Sequence, residues 1–119
     1  MLSNLKNVDE QAAIFEALAD PTRLKLVRLL CRQHGSDALC VNAMAALLGV
    51  TQSAVSQHLR VLKAIGLVKG ERRGYHIHYF INQDALEKCR KLTSAALSIE
   101  EPEEEQSCRQ YCPELRKGD

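Results

Sequence analysis

Between Thr51 and Gly66 the chain places Gln52, Ser53, Ser56, Gln57, His58, Arg60 and Lys63, and the stretch 50–70 contains no acidic side chain. These are side chains suited to reading a nucleic acid. Glutamine pairs bidentately with adenine, serine meets several base edges, and arginine suits guanine or phosphate. Ala54, Val55, Leu59, Leu62 and Ile65 recur at spacings of three and four, so the polar groups fall mostly on the opposite face of one helix, with His58 beside the apolar stripe. An ordinary surface helix would carry Glu and Lys for i,i+4 pairing. Thr51 suits the N-cap, and Gly66 suits a left-handed residue that ends the helix. Residues 67–73 and 75–81 then alternate as strands around Gly74. Arg72, Arg73 and His76 gather at the tip, where they can meet phosphates, which position a protein without reading sequence. His76 and His78 form an H-x-H pair of metal-ligand type. No carboxylate or thiol adjoins them, which favours a solvent- or phosphate-facing role.

The surrounding elements must hold that helix and hairpin. Residues 9–18 form a short amphipathic helix. Asp20 and Pro21 start another, as N-cap and first helical residue, with Leu24, Val27, Leu30 and Cys31 as its buried stripe and Gly35 at its end. Residues 38–41 read as a short strand. Asn42 caps a helix over 43–48 that Gly49 closes, so 42–65 is helix, tight turn, helix, with the second helix in the reading position. A last helix spans about 83–99. Its stripe of Leu86, Cys89, Leu92 or Thr93, Ala96 and Ile99 has little left in one protomer to cover it, which points to a dimer. Residues 100–107 are acidic and contain proline, too polar to bury. The division is a DNA-binding and dimerisation domain at 1–99 and an acidic linker with a cysteine-containing tail at 100–119. The fold class is mainly α with a small antiparallel β hairpin.

A net charge of +1 on 119 residues hides a segregated molecule. Residues 42–82 carry five basic side chains and one acidic, whereas 83–119 carry six basic and nine acidic. A concentrated basic face is the electrostatic footprint of a duplex binder. No run of 18 apolar residues and no signal-peptide core occur, so a membrane partner is not expected. Five cysteines without export signals suggest reduced thiols and a cytoplasmic location. No paired-carboxylate cleft, nucleophile–base motif or phosphate-cradling glycine loop appears, which argues against an enzyme.

The element order, together with Ala17-Leu-Ala-Asp-Pro-Thr-Arg-Leu24, Leu39-Cys-Val41, Gln52-Ser-Ala-Val-Ser-Gln-His-Leu59, Gly66-Leu-Val68 and Gly74-Tyr-His-Ile-His-Tyr79, resembles the ArsR/SmtB family of winged helix-turn-helix transcriptional repressors over roughly residues 8–98. The resemblance implies a homodimer joined by its first and last helices. Such a dimer occupies an inverted-repeat operator on double-stranded DNA, needs no cofactor to bind, and is released by an inducer. Carried onto this chain, Gln52, Ser53, Ser56, Gln57 and His58 would read bases, while Arg60, Arg72 and Arg73 would meet the backbone.

The cysteines are the chemistry available for an inducer. Cys40 matches the first thiol of the family's Leu-Cys-Val-Cys-Asp metal box, but the second thiol is replaced by Asn42. The last-helix zinc site of related sensors would fall near Gln83 and Ala85, and no histidine follows His78. Persulfide-sensing relatives place a cysteine where this chain has Arg28. Cys108 and Cys112 stand four apart, so one helical turn puts both sulfurs on one face, a soft-ion chelate or a disulfide in waiting. Cys89, on the dimer stripe, or Cys40 could supply the third thiol of a trithiolate site; Cys31 reads as core. The favoured function is a repressor released by a thiophilic ion such as arsenite or antimonite. The alternatives are a redox or reactive-sulfur sensor of the same fold and a constitutive architectural DNA-binding protein.

Overall fold

The structure, a computed structural model, describes residues 7–33, 38–99 and 108–112. Helices α1 (Val8–Leu18) and α2 (Pro21–Cys31) lead to strand β1 (Leu39–Cys40). Helices α3 (Val41–Leu48) and α4 (Gln52–Ala64) follow, then strands β2 (Val68–Arg73) and β3 (His76–Ile81), helix α5 (Gln83–Ala96) and the short α6 (Cys108–Tyr111). The strands form one antiparallel sheet in the order β1-β3-β2. The fold is the expected one, mostly helical with a small sheet, and the hairpin gains β1 as a third strand.

Local chemistry sets the helix boundaries. Asp20 accepts from the backbone N–H groups of Thr22 and Arg23, with Pro21 in the first turn. Thr51 accepts from Ala54 N–H and starts α4. Gly49 at φ 68° turns the chain between α3 and α4 in a left-handed conformation that costs a side-chain-bearing residue more, and Gly66 at φ 76° does so after α4. Two boundaries differ from expectation. α3 begins at Val41 with Cys40 at its N-cap position, two residues before the expected Asn42 cap. α5 ends at Ala96, leaving Ile99 fully exposed. Gly35, residues 100–107 and the tail beyond 112 lie outside the described residues.

The core is built where those helices cross. Leu26, Leu30, Met44, Val55, Leu59, Leu62, Leu67 and Val68 are almost wholly buried beside Tyr79 and Ile81. At a coefficient of about 25 cal/mol per Å², each buried Leu or Val contributes roughly 1.5–3 kcal/mol. The buried face of α2 is rotated from the expected one. Leu26 and Leu30 point inward, whereas Leu24 and Cys31 are exposed, because α1, α4 and β3 pack on the Leu26 side.

The stripe on α5 is also covered differently. Cys89 is buried, and Leu86 and Leu92 pack on the core, because α1 lies along this face of α5. Gln11 Nε2 donates to the Leu92 carbonyl at 3.0 Å and fixes the pair. One protomer therefore covers most of the stripe itself. What remains exposed is Val8 and Phe15 on α1 and Leu97 and Ile99 past the end of α5. Among the described residues no helix is long and apolar enough to cross a membrane.

Candidate nucleic-acid interface and cysteine positions

Val55, Leu59 and Leu62 anchor α4 in the core, and that inward stripe fixes the outward one. Gln52, Ser53, Ser56, Gln57 and Arg60 are all exposed. None of their side chains makes a hydrogen bond to another described residue. Their donors and acceptors stand ready for base edges and phosphates on one continuous face. α3 packs against α4 across the Gly49 turn, which gives the helix-turn-helix geometry.

His58 stands apart from this set. Its side chain is only 22% exposed and turns toward α2. Arg23 Nη1 lies 3.2 Å from its Nδ1, and Asp20 Oδ1 lies 3.9 Å from its Nε2. The expected placement among the outward readers therefore does not match its position, because the helical step from Gln57 carries residue 58 round to the α2 side. Arg23 also donates to the carbonyls of Ala17 at 2.6 Å and Glu16 at 3.5 Å. The backbone N–H of Arg23 is the main cause of a lowered Asp20 pKa; burial opposes it, and the Thr22 N–H and the Arg23 charge add to it.

The wing extends from the same core. β2 and β3 pair from Val68↔Ile81 to Arg73↔His76, and Gly74 turns at φ 67°. Arg72 is exposed; Arg73 is partly so and lies 3.5 Å from Glu71, an exposed pair of little energetic weight. Tyr75 at the tip is almost fully exposed. Lys63 of α4 sits 5.8 Å from the centroid of the Tyr79 ring, a cation–π distance that ties helix to wing.

The cysteines are dispersed. Cys108 and Cys112 do share one turn: the Cys112 N–H donates to the Cys108 carbonyl at 2.7 Å, with Cys108 exposed and Cys112 half-buried. Cys40 is half-buried and lies across the sheet from His78, which in turn lies across from Glu71. His78 Nδ1 is buried without a hydrogen-bond partner among the described residues. Cys89 lines a cleft of about 230 Å³ with Glu10, Ile14, Ile65 and Leu92, and burial pushes its thiol pKa up. Among the described residues no three His, Cys, Asp or Glu side chains gather into a group able to hold a metal. Cys108 and Cys112 share one turn, and among the described residues neither Cys40 nor Cys89 is grouped with them.

Sequence reasoning missed the partnership of Arg23 with α4. Asp20 was legible as a cap, but a contact spanning 35 positions leaves no local periodic signal.

The helix-turn-helix and its approach from α2 are also where known proteins agree with this chain. The arsR family of bacterial regulatory proteins matches at residues 20–69. An uncharacterized HTH-type transcriptional regulator of Methanocaldococcus jannaschii is 35% identical over 88 residues, 74% of this chain and 96% of that protein. This chain belongs to the arsR family. Its arsR relatives are transcriptional regulators, so it falls in a DNA-binding, non-enzymatic family. A transcriptional repressor SmtB homolog of Synechocystis sp. is 43% identical over 76 residues, 64% of this chain and 54% of that protein, so the match spans about half of that relative's length. A solved structure described as a possible transcriptional regulator for arsenical resistance superposes with a TM-score of 0.63 at 36% identity. It covers 72% of this chain and 85% of the other. The winged helix-turn-helix architecture expected from the sequence is the one these relatives share.

Proposed function

We propose that this protein is a repressor that binds an inverted-repeat operator as a homodimer and lets go when a thiophilic ion binds its cysteines. The observation that carries the DNA part is the α4 face: Gln52, Ser53, Ser56, Gln57 and Arg60 are exposed and unengaged on a helix whose other face is locked into the core. Arg60, Arg72 and Arg73 supply phosphate contacts. The apolar side chains left exposed on α1 and past α5 supply the dimer contact.

Cys108 and Cys112 are the proposed inducer site, with Cys89 or Cys40 of either protomer as the third thiol. Two thiolates on one turn suit arsenite, antimonite or another soft cation better than oxygen-preferring ions. A relative described for arsenical resistance supports testing arsenite first. The buried, pKa-raised Cys89 is a poor free nucleophile, so it would join only after α1 and α5 separate.

The test is release of a fluorescent operator duplex by arsenite, cadmium or peroxide, with wild type and the Cys108→Ser, Cys112→Ser double variant. Arsenite release that the double variant loses, with DNA binding intact, supports the reading. Release by peroxide alone would indicate a redox sensor, and indifference to all three a constitutive DNA-binding protein. A double variant that still responds normally removes the tail from the site.

A further inference from the structure

Three helices meet at one arginine. The Arg23 guanidinium donates through Nε to the Ala17 carbonyl at 2.6 Å and through Nη2 to the Glu16 carbonyl at 3.5 Å. Both carbonyls belong to the last turn of α1, and that of Glu16 also accepts from the Ala19 N–H at 3.2 Å. The Arg23 backbone N–H is tied to the Asp20 carboxylate that caps α2. The remaining arm, Nη1, reaches His58 Nδ1 on α4 at 3.2 Å.

Guanidinium groups only donate, so His58 Nδ1 must accept. Acceptance at Nδ1 leaves Nε2 as the N–H of the ring. The Nε2–H then faces Asp20 Oδ1 at 3.9 Å, an electrostatic contact rather than a direct hydrogen bond. Both ring nitrogens are thereby turned toward the α1–α2 junction.

We infer that His58 is a positioning residue: by accepting from Arg23 it holds the recognition helix to the junction of α1 and α2, and it reads no base. This rests on the reading of α4 as the DNA-binding helix. The consequence for recognition is geometric. Bidentate base contacts require donor–acceptor distances within a few tenths of an ångström, so a small shift or rotation of α4 weakens every specific contact together. Phosphate attraction tolerates the same shift, because it is long-ranged and independent of sequence. α1 also packs along α5, so Arg23 and His58 connect the recognition helix to the α1–α5 pair.

The experiment uses the full chain and a duplex that the wild-type protein has selected from random sequence. Binding is measured to that duplex, to each of its single base-pair substitutions and to an unrelated duplex, for wild type, His58→Leu, His58→Gln, Arg23→Gln and the Arg23→Gln, His58→Leu pair. Specific binding by His58→Leu is expected to fall about tenfold, the scale of one hydrogen bond to a charged group. Its ranking of the substituted duplexes and its affinity for unrelated DNA should stay as in wild type. His58→Gln, whose amide oxygen can also accept from Arg23, should recover most of the loss. The double variant should be no weaker than the weaker single one.

A changed preference at one base pair would make His58 a base reader and overturn the proposal. So would a His58→Gln variant as weak as His58→Leu, or additive losses in the double variant. If His58→Leu fails to fold, the ring nitrogen chemical shifts of wild-type protein at neutral pH decide the matter. A bare Nδ1 with the proton on Nε2 is expected, and the opposite tautomer or an imidazolium refutes it. A wild type with no preference for any duplex sinks the DNA reading of α4 and this proposal with it. A wild type that prefers its duplex while His58→Leu binds equally well sinks this proposal alone.

Discussion

A helix turns about 100° per residue, and that single step separates Gln57, exposed on the outer face of α4, from His58, turned in toward Arg23. The exposure of Gln57 leaves its amide free for a base edge. Gln57→Ala should therefore weaken specific binding by about 1–3 kcal/mol while unrelated DNA is bound as before. An unchanged preference among operator variants, measured by competition, would remove it from the reading set. Asp20 makes a different kind of prediction. Its carboxyl is held below the ordinary value of 3.8, first by the Arg23 backbone N–H. A carboxylate whose folded pKa is depressed stabilises the fold above its unfolded pKa, and that contribution fades as pH falls through the folded value. Asn also caps helices well but carries no charge, so Asp20→Asn should be less stable than wild type near neutrality and converge with it in acid. Urea unfolding across a pH series checks this, and a gap that persists below the carboxylate range would place the difference elsewhere. The cap was legible from Asp-Pro in the sequence. The His58 contact was not: periodicity set His58 beside the apolar stripe and the family resemblance put it among the readers, whereas Arg23, 35 positions away, is what engages it.

At the scale of elements, what the sequence made legible follows from how local each signal is. The Thr51 cap, the Gly49 and Gly74 turns and the apolar stripe of α4 are each written within one or two helical turns, and the structure has all of them. The face of α2 was misjudged because Leu24, Leu26, Val27, Leu29, Leu30 and Cys31 offer two overlapping stripes. Which one is buried depends on where α1, α4 and β3 lie. The α5 stripe was read correctly as apolar and wrongly as uncovered, because the covering helix is α1, more than 60 residues earlier in the chain. β1 pairs with β3 non-locally as well, Leu39 with Tyr79 and Cys40 with His78, over a shorter stretch of chain. Gly70 shows how closely the wing is fitted to the reading helix. A Cβ there would lie 3.0 Å from both Ile77 Cγ2 and Tyr79 Cε1, and Tyr79 is the ring beneath Lys63. Gly70→Ala should cost about 1–2 kcal/mol after the smaller gain from a stiffer unfolded chain. It should also loosen the wing relative to α4. An unfolding midpoint equal to wild type would mean that the ring moves aside at no cost.

The whole molecule combines a basic middle, residues 42–82, with an acidic stretch at 83–119 that brings the net charge to +1. One reading helix and one wing make a modest footprint, and a twofold pair doubles it on a palindromic site with no new contact type. The proposed pairing has to come from surface that the protomer does not cover itself. Phe15 is 39% exposed on α1 and Leu97 is 77% exposed just past the end of α5. Apolar side chains of that size contribute about 1.5–3 kcal/mol when fully buried, and a symmetric interface counts each one twice. The Phe15→Glu, Leu97→Glu double variant should raise the dimer dissociation constant at least about tenfold, because carboxylates brought to a shared interface must be desolvated. Sedimentation equilibrium reads the dissociation constant directly, and circular dichroism confirms that the helices persist. Operator affinity should fall in parallel, since two half-sites bound separately lose the advantage of being linked. A variant that stays dimeric and binds its operator normally would place the interface on another face. The pairing of α1 with α5 would then serve only the interior of one protomer.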